Sequence, residues 1–592
     1  MILHIPNPER RNRIQQSAVG RCGCLEYRVI KMAEYLSPGV YVEEFDSAGQ
    51  PLAGVSTSTA GFIGVAERGP VEGLPVLVTS MNDFKRNYGG YLSDNQFGVY
   101  RYLAYAVDQF FVNGGSRAYI MRVAPSDAAV ASSKGDFFTA TAKNPGAWGN
   151  AVELFAEPSS KAKTQIYEDL GGGKYRVKNS SGFNEGDAVT FSNGEEKTTS
   201  KVVAARDNII ELENALEGDV VDNGLLPVKV LSTSEFTLHV VYGDEVETYE
   251  NVSFNVSAAN HVSKAASRSS LVTIEAADAA DVAALFSEGN KYATSLSGGS
   301  DGSQGGISPS NYVGEDNGPG KRTGIQAFVD NDQVSIMSVP GITDPNVQLA
   351  LVAHCENLGS RFAILDIPRD KTKVPDVLSH RDIFDSSYAA MYNPWLQVFD
   401  PLEKRNIFVP PSGSVAGVYA RSDSSRGVEK APANEVVRGV TGLDVQYNKG
   451  EQDILNPKGV NLIRTFSGQG IRIWGARTTS SNALWKYVNV RRLFIFVEES
   501  IKAGTNWVVF EPNDERLWAR VHRTIDAFLT RVWRGGALQG SSPGEAFFID
   551  ISSNTMTQDD IDNGRLICVI GIAPVKPAEF VIFRITQKTN EQ

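Results

Sequence analysis

The strand–helix–strand rhythm of this chain occurs twice, once over residues 56–123 and again over 334–367, and whatever it folds into must reconcile the two. In the first stretch, residues 59–66 and 118–123 are apolar enough for strands covered on both faces, and 76–78 is a third strand. An aromatic-rich run over 96–111 predicts a helix, stopped by Asn113-Gly114-Gly115. The second stretch repeats the order, with a strand over 334–337, a helix over 347–358 and a strand over 362–367. Near-continuous apolar strands alternating with helices build layered α/β structure. One α/β middle domain, made of 51–160 and 315–390 and interrupted by residues 161–314, satisfies both.

The interruption has a different texture. Short strands over 175–177, 188–191, 201–203, 209–212 and 228–230 alternate with Gly, Asn and Asp turns, which suits a small barrel near 165–232. Runs 236–242 and 247–249 form a hairpin around Gly243-Asp244. The Gly/Ser-rich run 295–324 reads as a linker or a surface loop. Residues 391–578 make a third, C-terminal α/β domain. The whole is an α+β / α/β multidomain chain.

Both ends carry strand-like segments outside any domain. At the C-terminus, 579–592, the run Phe580-Val581-Ile582-Phe583-Arg584-Ile585 is nearly all apolar. Near the N-terminus, 32–50, Val40, Tyr41 and Val42 follow a Pro-Gly turn, with Val40 and Val42 on one face. Residues 1–31 are Arg-rich and lack the apolar core of a secretory signal. Met32 opens the patterned sequence, so 1–31 read as a non-native or disordered leader.

Composition removes several classes of function. A net charge of -12 argues against a general nucleic-acid binder, which needs a positive field. No apolar run approaches the roughly 20 residues that span a bilayer. Four cysteines in 592 residues, only Cys22 and Cys24 close together, fit a reducing compartment and make a poor zinc site. Gly540-Ser541-Ser542-Pro543-Gly544 matches a nucleophile elbow in letters only. Pro543 has no N–H for an oxyanion hole, and the last histidine, His522, precedes the serine. Gly171-Gly172-Gly173-Lys174 lacks the spacing of a phosphate loop and reads as a hairpin turn, and His354-Cys355-Glu356 reads as a helix-surface trio. The expectation is a protein with no catalytic site, no cofactor and no metal.

Several motifs, in this order, resemble the contractile-tail sheath family of phages, R-type bacteriocins and related injection systems. They include Ser37-Pro38-Gly39-Val40-Tyr41-Val42, Thr59-Ala60-Gly61-Phe62-Ile63-Gly64 and Asn144-Pro145-Gly146-Ala147-Trp148-Gly149-Asn150. Others are Tyr487-Val488-Asn489-Val490-Arg491-Arg492-Leu493, Trp507-Val508-Val509-Phe510-Glu511-Pro512-Asn513 and Ala573-Pro574-Val575-Lys576-Pro577-Ala578-Glu579-Phe580. The resemblance runs from Met32 to the C-terminus except for about 165–232, which looks like an added insertion. Organisation in a single chain favours the phage and bacteriocin branch over secretion sheaths split across two chains. The resemblance implies a structural subunit that polymerises helically around an inner tail tube and contracts to drive the tube through a target envelope. It implies a homo-oligomer with the tube protein, baseplate and tail terminator as partners, located in a virion tail and assembled in the host cytoplasm, with no direct nucleic-acid contact and no membrane insertion. A structural or decorating module elsewhere in a tail or baseplate is the alternative.

Two sets of residues follow as assembly candidates. The resemblance implies terminal strands exchanged between subunits, which points to Val40, Tyr41, Val42, Phe580, Val581, Ile582, Phe583 and Ile585. The other set lies on a helix whose first turn holds Asp514 and Glu515 and which ends at Gly535-Gly536. Leu517, Trp518, Val521, Ile525, Phe528, Leu529 and Val532 share one face, and Arg516, Arg520, Arg523, Arg531 and Arg534 gather opposite. Such a stripe is ordinarily a solvated face. In an acidic chain whose resemblance sets this domain against a tube, it is the expected inner-tube contact.

Overall fold

Ala60–Val65 reads AGFIGV and is buried along its whole length. A strand apolar on both faces needs a neighbour on each edge and a layer on each face. Its parallel neighbours are Ala118–Val123 on one side and Ile336–Ser338, far along the chain, on the other. These strands belong to a nine-stranded sheet, described here in a computed structural model that covers residues 52–582 and 584 apart from 195, 225–227, 278–280, 288 and 290. The leader 1–31, the arm 32–50 with Val40, Tyr41 and Val42, and Phe583 and Ile585 lie outside the described residues.

The sheet order is Val76–Val78, Ala118–Val123, Ala60–Val65, Ile336–Ser338, Phe362–Asp366, Ala389–Asn393, Val460–Phe466, Gly470–Ile473 and Glu435–Val436. Pairing is parallel through the centre and antiparallel at both margins. Helices Leu103–Val112 and Ser412–Arg426 contribute to the apolar layer that holds Phe62, Phe110 and Tyr419. Pro345–Leu358 contributes to the layer that holds Ile63, Met121 and Leu365. The first two helices approach so closely that a Cβ on Gly413 would lie 2.4 Å from the Ala106 carbonyl oxygen, and one on Gly417 2.5 Å from that of Phe110. Only glycine leaves room for that contact.

Three sequence expectations need correction. The middle domain does not end at 390: Ala389–Asn393 crosses that boundary and pairs in parallel with Val460–Phe466, Met391 opposite Val460. The helix expected over 96–111 is broken into Asp94–Phe97, a 3-10 turn Gly98–Tyr100 and Leu103–Val112, with Gly98 at φ 50°. The Gly/Ser-rich run is not a linker, because Ile307 and Tyr312 are buried in the layer that holds Met121. Within that run the short helix Pro309–Val313 carries a capping box at Ser308.

Between the two halves of the sheet, Val152–Ser159, Glu235–Tyr242, Glu245–Val252 and Tyr292–Ser295 form a four-stranded antiparallel sheet whose core includes Trp148, Leu154, Phe236 and Leu238. A second antiparallel sheet springs from its end. It runs Lys163–Thr164, Val230–Thr233, Ala188–Ser192, Lys197–Arg206, Ile209–Leu212, Lys174–Val177, Ile166–Gly171. Its first and last strands are separated in sequence by Gln165 alone. The two edges therefore come together, and the sheet curls around Tyr175, Phe191, Ile210 and Leu231 as a small barrel.

The barrel joins the body through a narrow neck. Ser159 and Glu235 face each other as the last pair of the supporting ladder. Just beyond, the Lys161 Nζ lies 2.7 Å from Asp187 and 3.3 Å from Glu235, both carboxylate side chains buried. Lys161→Met leaves two buried carboxylates without their cation and should cost about 3–5 kcal/mol in urea unfolding. Excising residues 160–234 and joining Ser159 to Glu235 through Asn-Gly should leave the remaining chain melting within a few degrees of the full protein, read by circular dichroism.

Candidate functional site

After the sheet, the chain forms a C-terminal layer from helices Val488–Gly504 and Glu515–Arg534 and the antiparallel pair Phe547–Asp550 and Val569–Ile572. Glu515–Arg534 starts where the Asp514 carboxylate accepts from the Leu517 N–H at 2.8 Å. Leu517, Val521, Ile525, Phe528 and Leu529 are buried against Leu493, Val497 and Ala546, with Trp518 and Val532 half-buried beside them.

The arginines of that helix are all exposed but are not equivalent. Arg516, Arg523 and Arg534 meet no carboxylate among the described residues. Arg520 lies 3.8 Å from Glu511 and stacks 4.3 Å over the Trp507 ring. Arg531 turns toward the apolar side and donates to the Leu52 carbonyl, which ties the first described residue to this helix. The expected stripe is therefore a core of Arg516, Arg523 and Arg534, one arginine with a local acid that the sequence reading overlooked, and one recruited to hold the chain's entry.

Leu52 also borders a cavity of about 350 Å³, lined chiefly by Leu493, Phe496, Phe528, Val532 and Ala537. The two-stranded sheet has no further strand on either edge among the described residues. Phe548 on it is largely exposed. Past Ile572 the described residues form no helix or strand, only a β-bridge between Pro574 and Leu538, yet they are pinned. The Gln539 N–H donates to the Ala573 carbonyl at 2.8 Å, the Val575 N–H to Ala537 at 3.2 Å, and the Asn489 side-chain amide to Val575 at 3.3 Å.

At Glu579 the carboxylate receives Arg477 as a fork, Nε to Oε1 at 2.7 Å and Nη2 to Oε2 at 2.6 Å. Asn456 donates to Oε1 at 2.8 Å, the Tyr487 hydroxyl to Oε2 at 3.1 Å, and the Lys486 Nζ stands 3.5 Å away. Burial alone would raise this carboxyl, but the hydrogen bonds of Arg477 and Asn456 and the charge of Arg477 overcome it and hold it at about 2, down from 4.5. Immediately afterwards Phe580, Val581 and Ile582 are 73%, 69% and 78% exposed, with no strand partner among the described residues.

A buried pair joins this layer to the sheet. Arg492 donates to Asp423 at 2.6 and 2.9 Å and to the Thr57 carbonyl at 2.8 Å, with its guanidinium 4.7 Å from the Tyr419 ring. Neither this pair nor the Glu579 clamp was visible in the sequence, because the partners lie 69 and 102 positions apart. The Arg491-Arg492 dipeptide in the mostly apolar first half of helix Val488–Gly504 was the available signal for the first.

The motifs set aside on sequence have plain roles here. Ser541 donates through its N–H and hydroxyl to Glu545, both at 2.9 Å, in the turn that opens Pro543–Ala546. Gly171, Gly172 and Gly173 all have positive φ in the turn between two barrel strands. His354 and Cys355 are buried rather than on a helix surface, His354 beside Arg361, while Glu356 accepts from Ser386.

The comparisons agree with this architecture. The profile of the phage tail sheath protein central domain matches residues 315–479, and that of the phage tail sheath C-terminal domain matches 480–588. A prophage major tail sheath protein of Pseudomonas aeruginosa is 27% identical over 287 residues, 46% of this chain and 71% of that protein. The tail sheath protein of Escherichia phage P2 is 26% identical over 293 residues, 47% of this chain and 71% of that protein. Among solved structures, the sheath of an extracellular contractile injection system in its contracted state aligns with 94% of this chain and 99% of its own at TM-score 0.51 and 21% identity. A sheath tail protein from Listeria innocua aligns with 89% of this chain and 96% of its own at TM-score 0.52 and 10% identity, a likeness of fold.

Two outcomes test the energetics of this region. Asp423→Ala strands Arg492 as an unpaired buried charge and should lose about 3–5 kcal/mol in urea unfolding, whereas Arg523→Ala should change stability by less than about 0.5 kcal/mol. A depressed carboxyl contributes stability that is complete above the unfolded value of 4.5 and disappears as pH falls through about 2. The Glu579 carboxyl should accordingly titrate near 2, as read by carboxyl NMR of Glu-labelled protein.

Proposed function

The chain belongs to the contractile tail sheath family, and on that premise we propose that it polymerises helically around an inner tail tube and contracts to drive the tube through a target envelope. The observation that carries the assembly step is the presence in one chain of an exposed apolar C-terminal run and a two-stranded sheet with no further strand on either edge among the described residues. Phe580, Val581 and Ile582 of one copy, with Phe583 and Ile585 beyond them, add as a strand to a neighbour's sheet, and the segment with Val40, Tyr41 and Val42 adds from the other end. Backbone hydrogen bonds supply cohesion and side-chain pockets set register. Such a contact joins different surfaces of two copies and does not close on itself, so its product is a helical tube.

The basic face of Glu515–Arg534 is the inner-tube contact in this reading, centred on Arg516, Arg523 and Arg534 with Arg520 beside them. Exposed guanidinium groups facing an acidic cylinder hold through many contacts of about 1 kcal/mol or less, screened by salt. A grip of that kind holds a sheath before firing and releases it during firing. Contraction is a switch between two packings of the same bodies linked by their arms, and a few kcal/mol per copy drives it when many copies move together. Baseplate and terminator proteins occupy the ends of the tube in a virion tail, with assembly in the host cytoplasm. The barrel, attached at the neck and by Asn255, stands on the sheath exterior as decoration.

Purified protein mixed with tail tubes tests this directly. Arg516→Glu, Arg520→Glu and Arg523→Glu together should leave the monomer folded and abolish sheathing of tubes, scored by electron microscopy at low salt. Normal sheathing by the triple variant removes the helix as tube contact. Stable monomers that never polymerise, with or without tubes, would favour a decorating module instead.

A further inference from the structure

We infer that Glu579, gripped by Asn456, Arg477, Lys486 and Tyr487, is the fixed root of the C-terminal arm, the point where load from a neighbouring copy enters the folded body. This rests on the strand-exchange reading above and adds which residue anchors the exchanged strand.

The grip on the chain changes abruptly at Glu579. Residues 573–579 lack helix or strand but are tied at Ala573, Val575 and Glu579, and the three residues after Glu579 are the exposed apolar ones. The change from held to free falls within one residue. The holding groups come from three separate places. Asn456 follows helix Lys449–Leu455, Arg477 lies just beyond strand Gly470–Ile473, next to the sheet's margin, and Lys486 and Tyr487 lead into helix Val488–Gly504. A pull on the arm is therefore shared between the sheet and the C-terminal layer instead of peeling Val569–Ile572 from its two-stranded partner.

The chemistry suits a mechanical anchor. A forked guanidinium–carboxylate pair fixes orientation as well as distance, so it resists twisting along with extension. The Arg477 side chain is largely buried, which shields the pair from salt far better than the tube-facing arginines. One anchor stays closed under the ionic conditions that loosen the grip on a tube.

Three variants, each assayed for polymerisation by sedimentation and electron microscopy well below its own melting temperature, test this. Truncation after Glu579 should abolish polymers, which is the strand-exchange reading. Glu579→Gln keeps the whole arm and should melt within a few degrees of the parent, yet raise the concentration needed for polymerisation about tenfold or more. Arg477→Lys keeps the charge, loses the fork, and should fall between the two. If truncation blocks polymers while Glu579→Gln polymerises like the parent, the anchor is wrong and strand exchange stands. If the truncated chain polymerises normally, strand exchange itself fails. A Glu579→Gln defect that tracks lost monomer stability and vanishes on cooling also overturns the anchor.

Discussion

The parallel pairing of Ala60–Val65 with Ile336–Ser338 governs the shape of the whole chain. A strand buried on both faces cannot be left with an open edge, so the segments on either side of it must meet in the sheet's centre. Everything from 124 to 335 must then leave the sheet at the end of Ala118–Val123 and return at the start of Ile336–Ser338, on the other side of Ala60–Val65. The four-stranded sheet over Trp148 and the barrel beyond it are what that constraint permits: structures that begin and end close together. Each stage narrows to a pair of facing strands, Ser159 opposite Glu235 at the barrel's neck. An excursion built this way adds mass outside the core without altering the core's register.

The second organising feature is the placement of buried ions at joints. Lys161 sits between Asp187 and Glu235 where the barrel meets its support, and Arg492 between Asp423 and Thr57 where the C-terminal helices meet the sheet. Apolar joints would allow sliding at similar energy, because dispersion is indifferent to small shifts. A buried ion pair is not, since moving either partner leaves a charge unsolvated. These joints cost desolvation and gain little net stability, but they hold each body at one position relative to the next. A subunit that must transmit force needs that property.

Much of this was legible in the sequence, and the parts that were not share a cause. Period and punctuation placed Ala60–Val65, Ala118–Val123, Phe362–Asp366, the hairpin around Gly243-Asp244 and the helix Glu515–Arg534, because each depends on its own residues and its immediate flanks. The extension of the sheet past 390 was missed because Val460–Phe466 joins it by pairing with a strand far upstream, and apolar runs do not reveal their partners. His354 and Cys355 looked like surface residues since a helix pattern cannot show that Arg361 and a second layer cover them. In the candidate site, the arginine stripe was readable from spacing, while the use of Arg531 on Leu52 and of Arg520 on Glu511 was not. The Glu579 clamp depends on four residues from three separate segments, a relation that exists only in the folded chain.

The surfaces that remain divide by physics into two kinds. Arg516, Arg523 and Arg534 present charge to solvent, so any bond they make is long-ranged, weak individually and sensitive to salt. Phe580, Val581 and Ile582 present apolar side chains to solvent, so any strand pairing they make is short-ranged, cooperative along the strand and indifferent to salt. A helical sheath needs both, for opposite reasons. Its contacts with a tube must yield together when the lattice shortens, whereas its contacts between copies must survive the same movement. An apolar tube contact would have to expose its surface to water at every ring on release. Had the arms been purely ionic, the lattice would loosen under the same salt that frees the tube. In the proposed assembly, a division of labour between an exposed basic helix and an anchored apolar arm would let one event break one set of bonds and keep the other.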